Sequence, residues 1–282
     1  MDKKRPYLTK TDGKYEIKVR VKAGSLSIEQ LQALKDISKD YGAGEVHLTV
    51  RQEVLLFDIK EEGVEDALKR LEAVDLRGGS AGFRVRNVIC CVGERCKNCT
   101  WDPVALAREL DEKFGEMELP GAVKIAVSGC PFPCNRPQFN DIGIIGRLKP
   151  YVDRDKCDGC GECIKVCKVK AITLNKQKKA VVSEKKCKMC GRCMLNCPIS
   201  AISAEKQGAT IMVGGCGSWP AFSGEMLAKM IKVEDVAPLV GRILEYYKKN
   251  ALPKEKRLRP FVKRIGIEKL REELLKGIEV LM

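Results

Sequence analysis

The spacing of its cysteines constrains this chain more than any other feature. Of 15 cysteines, Cys157, Cys160, Cys163 and Cys167 form a C-x2-C-x2-C-x3-C run, and Cys187, Cys190, Cys193 and Cys197 repeat it. Upstream, Cys90 and Cys96 stand in Asn87-Val-Ile-Cys-Cys-Val-Gly-Glu-Arg-Cys-Lys-Asn-Cys99, and Cys130 and Cys134 in Ser128-Gly-Cys-Pro-Phe-Pro-Cys-Asn-Arg-Pro137. An odd count arranged in such runs, with no secretory signal after Met1-Asp-Lys-Lys-Arg5, predicts metal ligation in a reducing compartment rather than disulfides. A cytoplasmic location is therefore expected. No apolar run reaches the roughly 18 residues a membrane-spanning helix requires.

The Cys130–Cys134 loop lies between the apolar runs Val123–Val127 and Ile142–Ile145, so it reads as a ligand-bearing loop between two strands. Two prolines stiffen it, and Gly129 lets backbone approach a bulky inorganic group. With Cys90 and Cys96 it supplies four thiolates for one cluster. Cys91 could replace Cys90 as the first of these; the five-residue spacing to Cys96 favours Cys90. Cys99 and Cys216 read as buried thiols.

Along the chain, Tyr15, Ile17, Val19 and Val21 alternate with Lys14, Glu16, Lys18, Arg20 and Lys22, the pattern of a half-buried strand. Ser27, with Gln30 three residues on, caps a helix that ends at Gly42. A single strand over Glu45–Ile59 would put Val46, Leu48 and Val50 on one face and His47, Thr49 and Arg51 on the other. A helix over Val64–Leu71 and a strand over Phe83–Ile89 follow. Asp102-Pro103 starts a helix running to about Phe114. Amphipathic helices are predicted over Gly224–Ile231 and Val233–Lys249. The tail, Arg257–Leu281, is basic and then amphipathic. His47, the single histidine, reads as a strand residue rather than an acid.

The C-x5-C and C-x3-C pair resembles the siroheme and [4Fe-4S] site of sulfite and nitrite reductases. Leu48-Thr-Val-Arg-Gln52 and Val19-Arg-Val-Lys-Ala-Gly24 resemble segments of that family's ferredoxin-like half domain, and Gly214-Gly-Cys-Gly217 its siroheme-closing segment. The cysteine repeat resembles two-cluster bacterial ferredoxins, although Cys167 is followed by Lys168 where Cys197 is followed by Pro198. The likeness is nearest to the small anaerobic sulfite reductases of prokaryotes, archaeal dissimilatory-like proteins included. It implies an α+β chain: a half domain (1–80), an α/β siroheme reductase domain (81–148 and 209–282), and an inserted 2[4Fe-4S] ferredoxin module (149–208).

The implied cofactors are siroheme and three [4Fe-4S] clusters. Cys90, Cys96, Cys130 and Cys134 would hold one cluster, with Cys134 bridging to siroheme. Cys157, Cys160, Cys163 and Cys197 would hold the second, and Cys187, Cys190, Cys193 and Cys167 the third. Thr49, Arg51, Gln52, Cys134, Asn135, Arg136, Gly214 and Gly215 would line the siroheme site. Arg20, Arg51 and Lys124 would orient the oxyanion, Arg being apt for bidentate contact. Where many sulfite reductases carry two lysines separated by one residue, this chain has Ala122 and Lys124, which bears on the choice of substrate.

The implied activity is reduction of sulfite to sulfide, or of nitrite, with electrons fed through the inserted clusters from a soluble donor or an electron-feeding subunit. A non-catalytic electron-transfer subunit and a siroheme-binding sensor are the rival readings. A single copy of a unit that larger members carry twice implies a homo-oligomer or a heteromeric complex. The formal charge of +14 would suit anionic cofactors and substrate; the low aromatic content of 5% and the lack of a recognition motif argue against nucleic acid.

Overall fold

A computed structural model describes residue 5 and residues 7–281. Two sheets carry the framework. The first is built from β1 (Leu8–Thr11), β2 (Lys14–Arg20), β3 (Val46–Leu48), β4 (Val54–Ile59) and the short β5 (Arg77–Gly78). Its order is β1-β2-β4-β3, with β5 also on β2, and every pairing is antiparallel. The helices α1 (Ile28–Tyr41) and α2 (Val64–Ala73) cover one face, burying Leu34, Ile37, Ala67 and Leu71 against Ile17, Val19, Val54 and Leu56. The predicted capping box is present: Gln30 N–H donates to Ser27 Oγ at 3.2 Å, and Ser27 N–H to Gln30 Oε1 at 3.0 Å.

The single strand expected over Glu45–Ile59 is instead a hairpin. Residues 49–53 turn back between β3 and β4, so Val46, Leu48 and Val50 are not core residues; Leu48 and Val50 are 73% and 96% exposed. Alternation survives a turn of odd length, which is why periodicity alone did not reveal it.

The second sheet comprises β6 (Ile89–Cys90), β7 (Ile125–Ser128), β8 (Ile142–Val152), β11 (Ile202–Val213) and β12 (Glu225–Ile231), in the order β12-β11-β8-β7-β6. β6, β7 and β8 are parallel; β8, β11 and β12 are antiparallel. β12 lies where a helix was expected. Its Leu227, Ala228, Met230 and Ile231 are buried, and β11 supplies the hydrogen-bonding partner that a sequence pattern cannot show. The strand predicted over Phe83–Ile89 shortens to β6, with only isolated bridges at Arg84 and Val85. The helix α3 (Pro103–Phe114) starts at Asp102, which accepts from Val104 and Ala105 N–H.

Between β8 and β11, residues 153–201 leave the sheet. They form the hairpin β9 (Ile172–Leu174) and β10 (Ala180–Val182) and two short helices, α4 (Glu162–Val166) and α5 (Arg192–Leu195). The chain closes with α6 (Val236–Asn250), α7 (Leu258–Ile265) and α8 (Ile267–Leu274), packed by Leu239, Val240, Leu244, Tyr247 and Phe261 onto the second sheet. No helix among the described residues is long and apolar enough to cross a membrane.

Candidate functional site

Parallel pairing decides where the cysteines go. Because β6 and β7 run the same way, the loops that follow Cys90 and Ser128 emerge at the same edge, the edge at which parallel sheets commonly bind ligands. There Cys90, Cys91, Cys96, Cys99, Cys130 and Cys134 surround a cavity of about 290 Å³ together with Gln52, Gly129 and Asn135. The chain is drawn tight around it: a Cβ on Gly129 would lie 2.6 Å from Cys99 Sγ. Asn135 ties the second loop down by donating from Nδ2 to Val127 O at 2.8 Å, while its buried Oδ1 has no partner. Among the described residues no three ligating side chains converge as one metal ion would require. The thiols stand around a space, an arrangement suited to a polynuclear iron–sulfur group rather than to one ion.

The thiols differ in character. Cys90 is 1% exposed and belongs to the main apolar core. Hydrogen bonding between Cys90 and Cys91 holds the Cys91 thiol down to about 5 and drives the Cys90 thiol up. Burial also raises the Cys99 and Cys130 thiols.

The turn at residues 49–53 docks the first sheet onto this edge. Thr49 Oγ1 accepts from Arg51 N–H at 3.3 Å and from Glu53 N–H at 3.0 Å, and Gln52 takes a left-handed φ of 56°. Gln52 then brackets Cys90: its Nε2 donates to Cys90 O at 2.7 Å, and its Oε1 accepts from Cys90 N–H at 2.9 Å. Arg51 reaches the other end of the strands. Its Nη1 donates to Asn140 Oδ1 at 2.8 Å, and its Nη2 to Asn87 O and, at 3.3 Å, to Ile125 O.

A cationic group occupies that second end. Lys124 is half-buried, and its pKa is lowered first by burial and then by Arg257, with Arg51 and Arg86 adding to the effect. Burial lowers Arg51 to about 10 and lowers Arg86 as well. Glu53, buried, is one opposing charge, and fully buried Asp141 is the other. Asp141 accepts from Arg257 Nη2 at 2.8 Å and Nε at 3.2 Å, and from Lys124 N–H at 3.0 Å. Arg51 Nε and Arg86 Nε are buried without partners. A cationic group with such unpaired nitrogens suits a carboxylate or oxyanion. Between it and the thiol cavity lies the length of β7, about 13 Å at the usual rise of a strand.

Of the sequence-predicted residues, the structure groups Gln52, Cys134 and Asn135 at the thiol cavity, and Arg51 and Lys124 at the cationic end, while Thr49 holds the turn that carries Arg51 and Gln52. Arg136 is exposed in a left-handed conformation with φ 47°. Gly214 N–H donates to Asp141 O at 2.8 Å, and Gly215 is pressed against the Gln138 and Asn140 carbonyls, where a side chain would collide. Arg20 lies elsewhere: its Nη1 donates to Asp111 at 2.9 Å, and both side chains are buried. It lines a separate cavity with Lys22, Arg77 and Arg108. Arg86, Asp141 and Arg257 were missed. Asp141 just ahead of the apolar run Ile142–Ile145, and Arg257 in the basic tail, were the available signals.

In the 153–201 segment, Cys157, Cys160, Cys163 and Cys197 line one small cavity, so the fourth cysteine of the second run meets the first three of the first. Cys187 has Cys190 and Cys167 among its neighbours. Burial raises the Cys193 thiol to about 12. Arg192 stacks over Phe132 of the Cys130–Cys134 loop with 4.5 Å to the ring centroid, and Leu148 N–H donates to Met189 O at 3.0 Å. The second run is thereby docked against the thiol cavity's loop.

Residues 81–280 match the nitrite and sulphite reductase 4Fe-4S domain, and residues 8–74 the nitrite/sulfite reductase ferredoxin-like half domain. The chain belongs to the nitrite and sulphite reductase family. It is 39% identical over 268 residues to the coenzyme F420-dependent sulfite reductase of Methanocaldococcus jannaschii, with 94% of this chain and 43% of that protein covered. An uncharacterised protein of the same organism is 35% identical over 260 residues, with 92% of this chain and 90% of that one covered. The crystal structure of dissimilatory sulfite reductase I shares the fold with a TM-score of 0.77 at 19% identity, over 95% of this chain and 70% of that one. The chain thus spans less than half of the F420-dependent relative and nearly all of the uncharacterised one.

Proposed function

We propose that this chain reduces sulfite to sulfide using siroheme and three [4Fe-4S] clusters, nitrite being the alternative oxyanion. The observation that carries the reading is the meeting of the two cysteine loops around one cavity, with a cationic group at the other end of β7. A sulfite ion could touch only one of these ends, whereas a metal macrocycle rimmed with carboxylates suits both. When bound, siroheme and its cluster supply an iron site and stored electrons for multi-electron reduction.

The chain's own groups do the remaining work. The first loop's thiol, with Cys96, Cys130 and Cys134, would hold the cluster, and Gln52 fixes the end of β6 beside it. Arg51 and Arg257 present charge to carboxylates or to the oxyanion, Arg257 being oriented by Asp141. Lys124 carries a proton on Nζ whose release burial and neighbouring cations ease, as a proton donor requires. Arg20, engaged with Asp111, is assigned to holding the half domain on α3, with its two unpartnered nitrogens left for an anion.

The 153–201 segment is assigned as the inserted 2[4Fe-4S] module, with ligands divided as the cavity of Cys157, Cys160, Cys163 and Cys197 suggests. Its electrons are proposed to come from a soluble donor or an electron-feeding subunit. A second copy of the chain is the proposed neighbour along β3, an edge strand that leaves Leu48 in solvent. Ala122, at the position of a family lysine, favours the rival reading of a non-catalytic electron-transfer subunit. The visible spectrum of anaerobically purified protein, with tetrapyrrole extraction and an iron count, separates the two. Siroheme with iron for three clusters is expected; iron for two clusters and no siroheme, after expression in a siroheme-making host, would leave electron transfer.

A further inference from the structure

We propose that Cys91, and not Cys90, is the thiolate that the first loop contributes to the cluster cavity, Cys90 being a thiol of the apolar core. The inference rests on the cluster-bearing reading above. Cys90 and Cys91 both border the cavity, and they are set differently against it. Cys90, the last residue of β6, is 1% exposed, packs within the main core cluster, and has both backbone polar groups fixed by Gln52. Cys91 is half-buried, and its Sγ accepts from the N–H of Gly129, the residue before Cys130, at 3.3 Å. It therefore stands directly across from the second loop.

The chain supplies its own comparison. Like Cys91, the thiols of Cys157, Cys167, Cys187 and Cys197 each accept a backbone N–H. Those four are the first and last cysteines of the two C-x2-C-x2-C-x3-C runs, with N···S distances of 3.4, 3.2, 3.3 and 3.2 Å. Hydrogen bonds to sulfur are a means by which proteins stabilise and tune iron–sulfur centres, because they draw charge from the thiolate. Cys91 carries this mark and Cys90 does not. The ligand spacing of the first loop is then four residues between Cys91 and Cys96, not five.

The test compares Cys91→Ala and Cys90→Ala in the full chain, purified anaerobically, by iron and acid-labile sulfide content and by the electron paramagnetic resonance of the reduced protein. Cys91→Ala is expected to lose about one third of its iron and the matching signal. The iron of the other eight cysteines remains and shows that the chain has folded. Cys90→Ala is expected to keep its full complement. Loss of that iron in Cys90→Ala, alone or alongside Cys91→Ala, would overturn the assignment, and so would its retention in both variants. Wild-type protein with iron for only two clusters would overturn the cluster reading itself, before any variant is compared.

Discussion

Lys124 shows how surroundings change the character of a single residue. Only resemblance to a family pattern marks it in Ala122-Val-Lys-Ile125; in the fold, burial and three guanidinium neighbours hold its pKa below the ordinary lysine value. With a folded-state pKa below the unfolded one, the protonated form penalises folding. That penalty is present in full below the folded pKa and fades as pH rises from there toward the unfolded value. Lys124→Met should therefore be more stable than wild type at neutral pH, with the advantage shrinking in alkaline solution; thermal unfolding across that range measures it. The same variant should lose about 100-fold or more in turnover, the usual contribution of a placed proton donor. An unchanged rate would remove Lys124 from the site.

At the scale of elements, the two sheets are joined by the turn at residues 49–53 and by the buried pair of Arg20 on β2 and Asp111 on α3. Removing one partner of such a pair strands the other charge in the interior, so Asp111→Ala should cost about 3–5 kcal/mol in denaturant unfolding. A loss within error of zero would mean that water already solvates Arg20. These elements also show what the sequence could and could not disclose. Local signals were legible: the capping box at Ser27, the Asp102-Pro103 helix start, and the alternation of β2 all fall where the chain places them. The Glu45–Ile59 hairpin was not, because alternation runs on through its turn, and β12 was not, because its own residues carry no sign of the pairing with β11 that makes it a strand. The site divides in the same way. Cysteine spacing pointed to the ligand loops, whereas Asp141 and Arg257, 116 positions apart, acquire their roles only through contact with each other. Arg20 was read from a motif alone, and its environment proved to be an ion pair.

Across the whole molecule, parallel strands gather two cysteine loops at one edge of a sheet, a half domain clamps that edge, and an inserted segment brings further cysteines against it. The exposed edge of β3 should be covered in solution, and light scattering should report a dimer or a multiple of one; an active monomer would contradict this. The most direct test of the central claim is sulfide release by the anaerobically purified, cofactor-replete chain supplied with reduced methyl viologen and sulfite. Sustained sulfide production that depends on both reagents is the predicted result. Protein that contains its siroheme and clusters and is reduced by methyl viologen, yet forms no sulfide from sulfite, would contradict the account.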